Sequence, residues 1–302
     1  MRPLDERDVA ILRVIEGLRT VYEWVPLSSI IDKVPFPEGE VQSRLRFLKS
    51  ARLIRYSFIG FYNEFAAMLL ERGFDMLALW DFKRHGVIEE VADTIGEGKE
   101  AEIVLASSKQ GDVVIKFHRY WSVEFKHIRR SLSYAAVKLR GEELNLEDSK
   151  IDIPRAKAQV EMKAMEAAYK AGVTVPKPLS INRHAVVMEF VSSGYSGMPA
   201  PRIADTRLQN PKDALDRILQ DVETLVVKAG FIHGDLNEYN ILISGEGDLY
   251  FIDFPQAVPV SYDRALMLLE RDLSNIFNFF SKEYGIHTPN AAETARSLMS
   301  GI

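Results

Sequence analysis

The chain has no cysteine, so disulfides and thiolate metal sites are excluded. No stretch approaches the ~18 uninterrupted apolar residues that a membrane helix needs. The first residues, MRPLDERDVAILRVIEG, carry acids where a signal peptide would place its apolar centre. Internal repeats and low-complexity runs are missing as well. Nor is there an excess of basic charge: 38 Lys and Arg stand against 43 Asp and Glu, a net of −5, which gives no general reason to expect a nucleic-acid partner. These absences point to the cytoplasm and to no membrane association; a monomer is the expectation. What remains is 302 residues, 47% hydrophobic and 27% charged, a soluble globular composition long enough for two domains.

Apolar positions Val9, Leu12 and Ile15 suit a short amphipathic helix over residues 4 to 16. LSSIIDKV predicts a second, capped by Ser28 or Ser29. EGEVQSRLRFLKSARLI places Val41, Leu45, Leu48 and Leu53 at helical intervals, and IRYSFIGFYNEFA follows as a hairpin. Three short helices and a hairpin make the pattern of a winged helix-turn-helix, assigned to residues 1–83. From Val41 to Tyr56 five basic residues (Arg44, Arg46, Lys49, Arg52, Arg55) occur with no acid. Such a helix can lie on phosphates, each neutralised phosphate releasing counterions. The plainer alternative is a solvated face in a domain that binds protein.

LWDFKRHGVIEE reads as the connection onward, with a linker at 84–91. Strands then follow in EVADTIGEG, AEIVLAS and DVVIKFH, turning at Lys109 to Gly111. After a long polar, basic stretch, Pro154 opens a helix that ends at Gly172, a C-cap signal. HAVVMEF is a further strand. NPKDALDRILQDVETLVVKAG predicts a helix capped by Asn210, and a last long helix runs through Leu266, Leu269, Leu273, Ile276 and Phe280.

Four features fall in an order that phosphoryl transfer requires. The turn GEGKEAE offers Gly96, Glu97, Gly98, Lys99, Glu100 and Ala101, where glycines let backbone amides approach a phosphate. Alone it is weak. Asp93 breaks the P-loop pattern, and the third glycine of the protein-kinase loop is missing. Lys116 ends the apolar strand VVIK. Glu161, in the next helix, can hold that lysine against phosphates, with Glu166 as its rival. The strongest feature is IHGDLNEYNILI, which breaks an apolar run with an acid and an amide. There Asp235 and Asn240 keep the Asp-x4-Asn spacing of the kinase catalytic loop, and FIDFP brings Asp253 after a later apolar strand. One carboxylate orients the attacking group, while a second carboxylate and an amide oxygen hold the hard magnesium ion.

The segments GEGKEAE, HGDLNEYNIL and IDFPQAV resemble those of the RIO kinases, an atypical branch of the protein-kinase-like fold. With VPKPLSINRHAVVMEF and the winged-helix front, the chain resembles the second RIO subfamily over nearly its whole length. The expected fold is α+β: a winged helix-turn-helix followed by a bilobal kinase-like domain at 92–285, its lobes meeting near residue 190, then a tail at 286–302. The brevity of that tail suggests an archaeal member. The resemblance implies ATP with Mg2+ or Mn2+, a Lys116–Glu161 pair, Asp235 as catalytic acid, and Asn240 and Asp253 as metal ligands. It puts Met188, Glu189 and Val191 at the adenine hinge. The family usually has serine at 101, so Ala101 is a departure.

Between Asp253 and the helix near Tyr262 there is no room for a long activation segment, and His-Arg-Asp has become His-Gly-Asp. Peptide phosphorylation in trans should therefore be poor. The resemblance implies an ATPase of small-ribosomal-subunit maturation, with phosphate passing through Asp253 and self-phosphorylation at Ser131 or Ser133. Val113 to Gly141 holds seven Lys or Arg, Arg129 and Arg130 among them, against the single acid Glu124. Tyr120, Trp121, Phe125 and Tyr134 are interleaved, which suits stacking on rRNA. Two rival readings are a small-molecule kinase of the aminoglycoside or choline type, which shares the HGDL loop, and an RNA-binding assembly factor on a non-catalytic scaffold.

Overall fold

A computed structural model describes residues 2–119 and 152–301, and the chain separates into units at Met1–Gly86 and Val87–Ile302. In the first unit, Asp5 and Asp8 form a reciprocal capping box on helix α1, Glu6–Leu18. Strand β1 (Val25–Pro26) leads into α2 (Leu27–Ile31), α3 (Glu38–Ser50), the hairpin β2 (Ile54–Ile59) and β3 (Glu64–Leu69), and α4 (Glu71–Arg84). The sheet order is β1-β3-β2, the short first strand adding a third rung to the expected hairpin. Ile11, Leu12, Ile15, Ile30, Leu45, Leu48 and Leu77 are buried inside it.

Two local expectations give way here. Helix α2 is capped by neither serine. Pro26 is its N-cap, while the Ser28 N–H and hydroxyl both donate to Glu64, at 2.8 and 2.9 Å. Residues 79–84 are also not a connection but the last turns of α4. Phe74, Leu77, Ala78 and Phe82 are buried along that helix at a helical interval that its charged residues obscure.

The second unit opens with a five-stranded antiparallel sheet. Strands β4 (Glu90–Glu97), β5 (Ala101–Ser108), β6 (Gly111–His118), β7 (Pro178–Asn182) and β8 (Ala185–Glu189) are ordered β4-β5-β6-β8-β7. Helix α5 (Asp152–Ala171) packs on β6, β7 and β8, its buried alanines 156, 164 and 168 allowing close approach. Gly172 ends it at φ +91°. A helical layer follows: α6 (Pro211–Val227), α7 (Ala265–Tyr284) and α8 (Ala291–Ser300). Between them lie the short strands β9 (Phe231–Ile232), β10 (Ile241–Ile243), β11 (Leu249–Phe251) and β12 (Val258–Pro259), paired as β12-β9 and β10-β11.

The Asn210 side chain makes no capping bond. The Asn210 backbone carbonyl accepts from Ala214 N at 3.0 Å, and Pro211 begins the helix. In α7, Leu266 is 40% exposed and stands off the buried stripe of Leu269, Leu273, Ile276 and Phe280. The stretch read as a tail contains α8, capped by Asn290 and packed on α6 and α7.

Candidate active site

Strand alternation turns Lys116 and His118 of β6 to one face, toward α5. There Lys116 Nζ donates to Glu161 Oε1 at 2.5 Å, and His118 Nε2 lies 2.6 Å from Glu161 Oε2. A carboxylate can only accept, so that imidazole nitrogen carries the proton. Glu161 has no solvent exposure. Burial works against its charge, but Lys116 and His118 outweigh burial and hold its proton affinity below the ordinary value. Burial likewise works against the Lys116 charge, yet Asp253 and Glu161 keep the ammonium protonated. Glu166, the rival glutamate, is half-buried and outside this cluster.

The loop between β9 and β10 folds on itself. The Asp235 carbonyl accepts from Asn237 Nδ2 at 2.9 Å and from Asn240 Nδ2 at 2.8 Å, so the Asn240 amide spends its donor end within the loop. Gly234 is required at its place. Its φ is +80°, and a Cβ there would come within 2.3 Å of the Gln256 carbonyl oxygen. No arginine fits between the two loops. Helix α7 grips this loop from behind: Asp272 Oδ2 accepts from Gly234 N at 2.8 Å, Asn275 Nδ2 donates to Leu236 O at 3.1 Å, and Arg271 donates to Gly234 O.

Asp253 follows β11 with φ +70°, left-handed backbone that an L-residue seldom adopts. The twist directs its carboxylate to Lys116 Nζ, 2.6 Å away, while the next N–H, of Phe254, donates to Glu161 Oε1 at 3.2 Å. The two loops are also joined directly. Ile252 N donates to Asn240 O at 3.0 Å, His233 Nε2 lies 3.0 Å from Ile252 O, and Gln256 Nε2 is 3.4 Å from Asp235 Oδ2. Burial raises the Asp235 carboxyl to about 6; Arg271 opposes the shift, and the charges of Asp253 and Glu100 add to it. Among the described residues no group of three or more His, Asp or Glu side chains forms a metal cage.

The glycine turn lies at the mouth of the same sheet. Gly96 and Glu97 end β4, Gly98 N donates to Ala101 O at 2.9 Å, and Ala101 pairs with His118 across β5 and β6. Lys99 is exposed at the tip, and Glu100 accepts from the buried Lys157 of α5. At the far end of β8, Met188 is buried, Glu189 N donates to Lys177 O at 2.9 Å, and Val191 O accepts from Ala200 N at 2.9 Å. The structure thus brings Lys116, Glu161, Asp235, Asn240 and Asp253 together. His118, Gln256, Arg271, Asp272 and Asn275 complete the arrangement without having been foreseen. Only the polar breaks in the apolar stripe of α7 could have signalled the last three.

The basic helix α3 needs one correction. Arg44 is not available to phosphate: its guanidinium bonds Asp5, Asp8 and Glu40, all at 2.8–2.9 Å, and its side chain is 14% exposed. Arg46, Lys49, Arg52 and Arg55 are exposed. Arg129, Arg130, Ser131 and Ser133 lie outside the described residues.

A strand lysine held by a helix glutamate, with an Asp-x4-Asn loop and a later aspartate, defines the protein-kinase-like class. Two family signatures narrow it: the RIO domain matches residues 102–293, and the Rio2 N-terminal domain matches residues 1–85. The chain belongs to the RIO family of serine/threonine-protein kinases, in the subfamily with the Rio2 N-terminal domain. It is 30% identical to RIO-type serine/threonine-protein kinase Rio2 of Methanocaldococcus jannaschii over 265 residues, 86% of this chain and 91% of that one. It is 33% identical to serine/threonine-protein kinase rio2 of Dictyostelium discoideum over 288 residues, 94% of this chain but 51% of that longer protein. In fold it is similar to the crystal structure of the Rio2 kinase-ADP/Mg2+-phosphoaspartate complex from Chaetomium thermophilum. That likeness has a TM-score of 0.77 at 24% identity and covers 97% of this chain and 86% of that one. Membership decides against the aminoglycoside and choline kinases as this chain's family.

Proposed function

We propose that the protein is an ATP- and Mg2+-dependent phosphotransferase that turns over mainly as an ATPase and acts on the maturing small ribosomal subunit. The observation that carries the catalytic part is the Lys116 ammonium shared between Glu161 and Asp253 beside the Asp235–Asn240 loop. The donor set suits magnesium. Asp253 and Asn240 present carboxylate and amide oxygens, hard donors too few for a closed cage, and Mg2+ is usually held by one or two such groups together with water and substrate phosphates. Bound there, the ion would neutralise charge on the phosphates.

The chain's own groups do the rest. Lys116, already oriented by Glu161, meets the phosphates. The base is assigned to the Glu189 carbonyl and the Val191 N–H, since the Glu189 N–H and the Val191 carbonyl are bonded within the protein. Met188 lies buried behind them. Asp235 is the group to accept a proton from the attacking hydroxyl, and a carboxyl near 6 is ionised at neutral pH but still basic enough for the task.

The finer reading routes phosphate through Asp253. A carboxylate oxygen forms the new bond to the γ-phosphorus, the bond to the bridging oxygen breaks, and ADP leaves with that electron pair. Water then attacks phosphorus and gives its proton to Asp235, which releases orthophosphate and restores Asp253. A phosphoaspartate complex of the Chaetomium relative supports this step, as does the left-handed backbone that holds the Asp253 carboxylate, 41% exposed, toward the cleft. Transfer to Ser131 or Ser133 would be a side outcome. Exposed Arg46, Lys49, Arg52 and Arg55 support an rRNA partner.

Magnesium-dependent release of phosphate from ATP tests the assignment, alongside pull-down from native lysate with and without ATP. Asp235→Ala should stop turnover, and radiolabelled phosphate should appear on the wild type in a hydroxylamine-labile form that Asp253→Ala lacks. Turnover unchanged by both substitutions would remove the catalytic reading. Failure to recover small-subunit rRNA in either nucleotide condition would remove the ribosomal one.

A further inference from the structure

Lys157 is 3% exposed, and a lysine is seldom so buried without a charged partner. Its ammonium donates to Glu100 Oε2 at 3.1 Å. The two side chains differ in reach: that of Lys157 is 4% exposed and that of Glu100 is 41% exposed. The cation is thus fixed beneath the turn while its carboxylate partner faces solvent.

Position along α5 adds meaning. Lys157 precedes Glu161 by four residues, so both project from one face of the helix, a turn apart. Glu161 serves Lys116, and Lys157 serves the tip of the β4–β5 turn. That tip is tied to the end of β6, where Arg119 N donates to Glu100 O at 2.7 Å. The Glu100 charge is also felt at Asp235.

The turn from Gly96 to Ala101 contains no hydroxyl side chain. Lys116, the ammonium already in the cleft, is shared by two carboxylates. A triphosphate entering such a site adds negative charge beside Glu100, Asp235 and Asp253, and a second cation would offset it.

We propose that Lys157 is that second cation, exchanging its bond to Glu100 for the terminal phosphate oxygens of the nucleotide. The exchange costs little rebuilding, because the exposed carboxylate moves into water and the buried ammonium stays in place. Glu100 then acts as a competitor that occupies Lys157 until nucleotide arrives. The inference rests on the ATP reading of this cleft.

Equilibrium titration of the full chain with Mg·AMP-PNP and with Mg·ADP, read by calorimetry, separates the possibilities. Lys157→Met should raise the Kd for AMP-PNP by about tenfold or more, as loss of a charge-assisted bond does, and that for ADP by less than about threefold. Glu100→Gln should lower the Kd for AMP-PNP, since it removes the competitor. Lys157→Arg should keep the preference for triphosphate.

If Lys157 merely staples the turn to α5, Glu100→Gln will weaken both nucleotides as Lys157→Met does, and the proposal falls. Should Lys157→Met melt below the working temperature, the sign of the Glu100→Gln effect decides alone. Wild-type protein that binds neither nucleotide overturns both this inference and the ATP reading. Wild-type binding left unaltered by both substitutions overturns this inference and spares the other.

Discussion

Among the described residues, the half-buried Arg44 and the buried Lys116 are each surrounded by carboxylates and have opposite fates. In the N-terminal unit Arg44 is shared by Asp5, Asp8 and Glu40; in the kinase-like unit Lys116 is shared by Glu161 and Asp253. The guanidinium fork satisfies several acceptors at once, and Asp8 is already committed to the cap of α1, so nothing in that cluster is spare. The Lys116 cluster is asymmetric. Glu161 is sealed and triply bonded, whereas Asp253 is part-exposed on left-handed backbone. A cation whose partners are all fixed is a staple. A cation with one partner held ready in a cleft marks a site.

The comparison breaks most visibly in turnover. Lys116→Met should cut ATP hydrolysis on the order of a hundred- to a thousandfold, the scale of losing one preorganised charge at a phosphoryl group. Near-ultraviolet circular dichroism would check that the fold is kept. Arg44→Met should leave turnover unchanged and destabilise the N-terminal unit by roughly 1.5–3 kcal/mol, because Asp5, Asp8 and Glu40 each lose a charge-assisted bond while Arg2 still pairs with the buried Asp8. Denaturant titration reads that loss. If Arg44→Met reduced turnover while Lys116→Met did not, staple and site would have been assigned the wrong way round.

A third carboxylate sharpens the same distinction through pH. Burial raises the Asp272 carboxyl from 3.8 to about 7, against the pull of Gly234 N–H and Arg271. The folded state then holds the proton more tightly than the unfolded state does. Its contribution to stability is complete below the unfolded value and is lost as pH rises from about 4 through about 7. Asp272→Asn keeps an acceptor for Gly234 N and removes the ionisation. The wild-type melting temperature should therefore fall relative to the variant's across that window, and parallel curves would refute the shift. Asp235 lies near 6 by a similar cause; if it is the proton acceptor proposed above, turnover should rise with pH through about 6.

What the sequence made legible follows the range of each interaction. Asp235, Asn240 and Asp253 are readable because local spacing fixes them on two loops that flank short strands. Lys116 is readable because an apolar strand ends on it. The residues that grip the Asp235–Asn240 loop carry no such mark: Asp272 meets Gly234 across 38 positions and Asn275 meets Leu236 across 39, as polar groups among the many of an amphipathic helix. The engagement of Arg44 is invisible in the sequence for the same reason, since Asp5 and Asp8 lie 39 and 36 residues away. Helix α4 is hidden in the sequence because Asp81, Lys83 and Arg84 mask the period of Phe74, Leu77, Ala78 and Phe82.

The smallest effect concerns α3, where four basic residues remain exposed once Arg44 is set aside. Arg46 and Lys49 lie on the helix, Arg52 and Arg55 beyond it. If this surface meets rRNA, each phosphate it neutralises steepens the dependence of log affinity on log salt by slightly less than one unit. Replacing Arg46 and Lys49 with Gln should therefore flatten the slope by about one to two units and weaken different RNA sequences alike. Arg44→Gln, by contrast, removes a guanidinium that the carboxylates already neutralise. Measured below the temperature at which its unit melts, it should leave the slope where it was. Equal flattening by Arg44 and by the Arg46–Lys49 pair would mean that the three-carboxylate cluster opens on RNA, and Arg44 would move from staple to site.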